Sequence, residues 1–245
     1  NVISRDRFIE DNKRGFKRIM SSRNLDNDVE DEVVDKLVNT VDKAMPKLTH
    51  RYYKWKANQF GQTRLDWWDR NAPLPHSSET FIKWSEAKDI ILDSFSSFHP
   101  EISNLAELFF KNNWIDASLR KGKASGAFAH PSVPSLHPYI LVNYQGKIRD
   151  VMTLAHELGH GVHQILAGKN GLLMAETPLT LAETASVFGE MLVFRKLLDE
   201  SSIAQKKQLL SGKIEDMLNT VARQIGFHQF EVKFHEARIK SELTP

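Results

Sequence analysis

His156, Glu157 and His160, in the stretch "TLAHELGHGVHQ" from Thr153 to Gln164, bring two imidazoles and a carboxylate close together in the chain. If the stretch is helical, the two histidines lie one turn apart and about 40° apart around the axis. Two neutral imidazoles so placed can share one tetrahedral ion such as Zn2+. Glu157 stands on the same polar side, about 60° around the axis from His160. From there it could act as the base that takes a proton from an attacking water. The plainer alternative is an exposed helix with two solvated histidines, because H-E-x-x-H also arises by chance.

A third ligand decides more. One zinc-peptidase pattern would place glycine at position 163 and histidine at 166, but these are His163 and Leu166. Glu176, Glu183 and Glu190 follow one another at intervals of seven and would share a helix face. Thr177 and Pro178 read as an N-cap and first-turn pair. That leaves Glu176 outside the helix and sets Glu183 about a turn and a half inside it. The neighbours Ala182, Thr184, Ala185 and Ser186 are small enough for this helix to approach the first one closely. Glu183 is therefore the expected third ligand, with Glu190 or Glu176 as alternatives. Glu190 is otherwise expected to orient a histidine or to be a plain surface carboxylate. His163 shares the ligands' side of its helix and would contact substrate, steady the site, or serve structure alone. Three protein ligands leave a position for water, the arrangement of a catalytic rather than a structural zinc. A fourth protein ligand, for instance His163, would reverse that reading.

These residues need two helices held against each other, and most of the chain reads as helix. Apolar positions recur at helical spacing from Val29 to about Ala44, where Pro46 is expected to break or kink the run before Leu48, Tyr52 and Trp55. "RLDWWDRNAPLPHSS" reads as a connection. Helices are expected over about 85–98, 100–112, 150–167, 178–199 and 203–242, the last with an interruption at Gly212. Residues 121–146 differ, being rich in proline and glycine around one β-prone run, Tyr139 to Tyr144. That run reads as a short strand paired with 126–129 across a proline-rich turn. The expected fold is thus mainly α, with a β-hairpin or small sheet before the histidine-bearing helix. It forms a single region whose parts are 1–120 (helical), 121–146 (strand and loop) and 147–245 (metal-binding helices).

Composition narrows the partners. The net charge is +2 and no Lys/Arg run exceeds Lys206–Lys207, which argues against nucleic acid. No apolar run approaches the roughly 18 residues of a membrane span. There is no cysteine, so disulfides and thiolate ligands are excluded, and a cytoplasmic location is expected. A chain that begins "NVISRDRF" and ends "SELTP" reads as a piece of something longer.

The residues around the motif resemble the M3 metallopeptidases, and within them the oligoendopeptidase F branch. The likeness extends beyond "HELGH" to "DWWDRNAPL" (66–74), "NNWIDASLRKGKASGAF" (112–128), "PYILVNY" (138–144), "LAETASVFGEML" (181–192) and "FEVKFHEARIKSELTP" (230–245). The resemblance implies a mostly helical zinc peptidase that hydrolyses short peptides, with one Zn2+ per chain. His156, His160 and Glu183 match its metal ligands and Glu157 its general base. The strand Tyr139–Asn143 is similar to the sheet edge that pairs with an extended peptide in such enzymes, making Tyr139 and Asn143 substrate-contact candidates. Family members are longer, and their tyrosine and histidine oxyanion donors would lie C-terminal to this sequence. The resemblance therefore marks the chain as a central, catalytic-region fragment whose partners include the missing N- and C-terminal portions. A non-catalytic, zinc-stabilised peptide-binding or structural piece is the alternative, because loss of one oxyanion donor typically costs about 10²–10³ in rate.

Overall fold

The computed structural model describes residues 2–75 and 80–243; His76, to which the sequence assigns no partner, lies outside them. The chain forms two compact units, Ser78–Lys206 and, separately, Asn1–Ser77 with Lys207–Pro245.

The Ser78–Lys206 unit contains α4 (Trp84–Phe98), α5 (Pro100–Lys111), β1 (Ile115–Asp116), β2 (Phe128–His130), β3 (Tyr139–Leu141), α6 (Ile148–Gly168) and α7 (Leu179–Glu200); a 3-10 turn at Leu172–Met174 links α6 to α7. Local chemistry sets several of these boundaries. Pro100 opens α5, and the His99 ring nitrogen accepts a hydrogen bond from the Glu101 amide at 3.3 Å. Asp150 turns back to accept from the Lys147 and Gln145 amides, closing the start of α6. α7 starts one residue later than expected: Pro178 occupies the N-cap position, so Thr177 does not cap it. The core is built from Ile91, Phe95 and Phe109 of α4 and α5, Val151, Leu154 and Leu158 of α6, Ile140 of β3 and Val193 of α7. Each such side chain contributes about 1.5–3 kcal/mol on leaving water.

The three strands lie in the order β1-β3-β2. β1 pairs with β3 in parallel (Ile115↔Ile140), and β2 pairs with it antiparallel (Ala129↔Ile140). The expected hairpin is therefore present, over 128–130 rather than 126–129. β1 was not anticipated, and it changes the reading of β3. The Ile140 amide bonds to the Trp114 carbonyl and the Val142 amide to Asp116, so β1 covers the side of β3 that β2 leaves. β3 is the middle strand, not an edge; the edges are β1 and β2.

The other unit comprises α1 (Val2–Lys13), α2 (Ser21–Asp26), α3 (Asp31–Gln59), a 3-10 turn at Trp67–Asp69 and α8 (Ile203–Lys240) from Lys207 onward. Pro46 lies inside the 29-residue α3 without ending it. It forfeits one backbone bond, while the helix is held on both sides of it by Gln229 to Asp42 and Tyr52 to Glu215. Gly212 likewise leaves α8 continuous over 38 residues. An isolated helical glycine costs only about 1 kcal/mol, and good helix formers flank this one. Among the described residues, no helix is long and apolar enough to cross a membrane.

Candidate metal centre

α6 buries Val151, Leu154, Ala155, Leu158 and Val162 along one stripe, although Leu166 at its end is exposed. The helix meets α7 backbone to backbone. A Cβ on Gly159 would stand 2.8 Å from both the Ala185 carbonyl oxygen and Ser186 Cα, and one on Gly189 would stand 3.1 Å from the Ala155 carbonyl oxygen. At Gly159 a side chain would force the backbones apart, and at Gly189 it would be tight. The crossing brings Glu183 opposite the two histidines.

His156 Nε2 lies 3.3 Å from Glu183 Oε2, and His160 Nε2 lies 3.6 Å from Glu183 Oε1. The three candidate ligand atoms are all within 4.8 Å of one another. Bonds of 2.0–2.2 Å to a tetrahedral zinc would separate its ligand atoms by about 3.3 Å, close to both Glu183 distances, and two imidazoles with a carboxylate are donors that suit that ion. α7 also orients the rings. His156 Nδ1 faces Glu190 Oε2 at 3.3 Å, which turns Nε2 toward Glu183. His160 is hydrogen-bonded to the Ala182 backbone. Ser186, fully buried, places its Oγ 3.1 Å from Glu183 Oε2 and 3.0 Å from the Glu183 carbonyl oxygen.

The charges of the group are strongly coupled to burial. Burial pulls His156 down, but the Glu190 hydrogen bond and the charges of Glu157, Glu183 and Glu190 outweigh it, and its affinity for a proton rises. His160 goes the other way: burial dominates, His156 and His163 add to it, and Glu183 only partly offsets them. Glu157 is pushed up to about 7, chiefly by burial. His156 opposes the rise, Glu183 adds to it, and a backbone hydrogen bond from Ala129 holds part of the anionic form. A carboxylate poised near neutral pH suits a proton acceptor.

Glu157 is the main departure from the helical-wheel reading. It is not on an open polar face but is 6% exposed. The Ala129 amide of β2 meets it there, and the Ala129 carbonyl accepts from Gln164 of α6 at 3.3 Å. The outer edge of β2, rather than β3, therefore borders the group. Of the remaining candidates, His163 lies close enough to lower the proton affinity of His160 but is outside the ligand set, and Glu176 is exposed ahead of α7. Tyr139 is half exposed beside the His137 ring, which stacks on Trp114 at 3.9 Å. Asn143 donates to the Ala124 and Gly126 carbonyls at 3.0 and 2.9 Å and so ties down the loop leading into β2. The sequence reading missed Ala129 and Ala182, which act through backbone and leave no signature. It also missed the bond from Ser186, whose spacing of three from Glu183 was a usable signal.

Comparisons with known proteins identify the family. The description of peptidase family M3 matches residues 5–244. Oligopeptidase PepF of Bacillus subtilis (strain 168) is 29% identical over 247 aligned residues, covering 100% of this chain and 36% of the relative. An oligoendopeptidase F homolog of Borreliella burgdorferi is 31% identical, over 98% of this chain and 41% of the relative. A solved structure from Chlamydophila abortus, assigned as a peptidase, superposes with a TM-score of 0.78 at 28% identity, covering 96% of this chain and 39% of that one. The chain spans about two fifths of the length of the curated relatives it matches.

Proposed function

The chain belongs to peptidase family M3, and from that premise we propose that it carries the zinc site of an oligopeptidase that hydrolyses short peptides. The observation that carries the proposal is the meeting of His156, His160 and Glu183 within 4.8 Å, with the buried Glu157 next to His156 in the same helix. His156, His160 and Glu183 would hold one zinc ion. When bound, the ion supplies Lewis acidity that polarises the scissile carbonyl and acidifies a water. Glu157 accepts the proton of the attacking water and delivers it to the leaving amine. The Ala129 amide steadies the carboxylate that does this. Glu190 holds His156 in the tautomer that leaves Nε2 for the ion. The names of the relatives, oligopeptidase and oligoendopeptidase, support short peptides as the substrate class. A cytoplasmic location belongs to the same proposal, supported by a sequence that relies on no disulfide.

The test is cleavage of a short quenched fluorescent peptide by the purified chain with zinc, beside Glu157→Gln. The proposal expects turnover in the wild type and a loss of about 10²–10⁴-fold in the variant, the usual contribution of a general base. Turnover that survives Glu157→Gln removes Glu157 from the mechanism. Zinc uptake without turnover in the wild type would favour the structural, non-catalytic reading.

A further inference from the structure

Glu183 is the most exposed member of the metal group. Its side chain is 48% exposed, against 24% for His156 and 14% for His160. Each imidazole has a partner on α7, in Glu190 for His156 and the Ala182 backbone for His160. A solvent-facing glutamate has many rotamers to lose when it is fixed. To meet both rings at once it needs a tie of its own.

Ser186 is placed to be that tie. It follows Glu183 by three residues and so lies on the same face of α7. Its side chain is fully buried, and its backbone is pressed against α6 at Gly159, where a Cβ would stand 2.8 Å from Ser186 Cα. The hydroxyl is therefore a fixed point. A helical serine ordinarily donates to a carbonyl three or four residues back, as Ser94 and Ser97 do in α4. Ser186 differs in having a second acceptor on the same residue, with Glu183 Oε2 at 3.1 Å beside the Glu183 carbonyl at 3.0 Å.

We propose that Ser186 is a positioning residue whose hydroxyl holds Glu183 Oε2 and keeps the carboxylate aimed at His156 and His160. It sets metal affinity rather than folding stability. The inference rests on the metal-centre reading above, and the two can fail separately. Zinc affinity is measured by competition with a chromophoric chelator for the wild type, Ser186→Ala, Glu183→Ala and the double variant, with the melting temperature of each zinc-free protein alongside. Ser186→Ala is expected to bind zinc about 10-fold more weakly, the lower end of what loss of a ligand's orienting partner costs. Its zinc-free melting temperature should hold or rise slightly, alanine being the better helix former. In the Glu183→Ala background the serine substitution should add nothing, because it acts through Glu183. Wild-type affinity in Ser186→Ala overturns the proposal, as does an equal loss in both backgrounds, which would make Ser186 a packing residue only. A wild-type chain that takes up no zinc would instead remove the metal-centre reading, and this inference with it.

Discussion

Where α6 meets α7, backbone lies against backbone at Gly159 and Gly189, and His156, His160 and Glu183 bring their ligand atoms within 4.8 Å of one another. Where α3 meets α8, side chains reach across instead. Tyr52 donates to Glu215 at 2.6 Å, Lys56 to Glu215 at 2.7 Å and to the Arg70 carbonyl at 2.6 Å, Tyr53 to Asn219, and Lys207 to Gln59. Lys56 is 1% exposed and all its charge is spent on holding the helices and the turn after Trp68. Burial, reinforced by Glu215, keeps the Tyr52 hydroxyl protonated far beyond its usual range. The same residue type thus has opposite uses. Glu215 is a fastener whose Oε2 accepts from both Tyr52 and Lys56, whereas Glu183 is held in place by shape and by Ser186, with its oxygens turned to the histidines. Close packing by glycine leaves polar groups available for chemistry, and fastening by polar groups uses them up.

Substitutions can break or sharpen that contrast. The largest effect is expected from Glu215→Leu, which leaves the Lys56 ammonium buried without its carboxylate. It should cost about 3–5 kcal/mol in denaturant unfolding, with the zinc affinity of the protein that remains folded unchanged. A drop in zinc affinity would mean that the fastener also serves the site. Gly159→Ala comes next: its Cβ would meet backbone at 2.8 Å, and overpacking of this kind costs about 1–3 kcal/mol. Here stability and zinc affinity should fall together, and a stable variant with normal zinc binding would refute the role given to the glycine contact. Glu190→Gln should leave unfolding nearly untouched yet weaken zinc by about 10- to 100-fold, a separation that chelator competition and calorimetry can check side by side. The smallest effect is expected at Met217, 58% exposed on α8. Met217→Gln should shift stability by no more than about 0.5 kcal/mol, and a larger loss would show that this position is covered in solution.

The two regions were also unequally legible in the sequence. α6 announces itself by its histidine spacing, and Glu183 by its seven-residue spacing and small neighbours, since a regular helix converts spacing directly into geometry. The burial of Glu157 was hidden because a helical wheel knows nothing of what covers the helix, and here the cover is β2, three residues long. A strand that short, paired through backbone, carries almost no periodic signal, and the two-residue β1 that makes β3 central carries less. Gly212 misled for a different reason, and Pro46 does not end its helix for the same one. Each imposes a local cost that the contacts of a long helix absorb, and those contacts come from residues more than a hundred positions away, such as Glu215 on Tyr52.

The central claim, that the α6–α7 crossing is a zinc site built by His156, His160 and Glu183, is tested most directly by metal analysis. The purified chain is loaded with zinc, dialysed exhaustively and assayed for bound metal, beside Glu183→Ala. The account predicts one zinc per wild-type chain and little in the variant, with both proteins equally folded by circular dichroism. A wild type that emerges without zinc, or a variant that retains as much as the wild type, would contradict it.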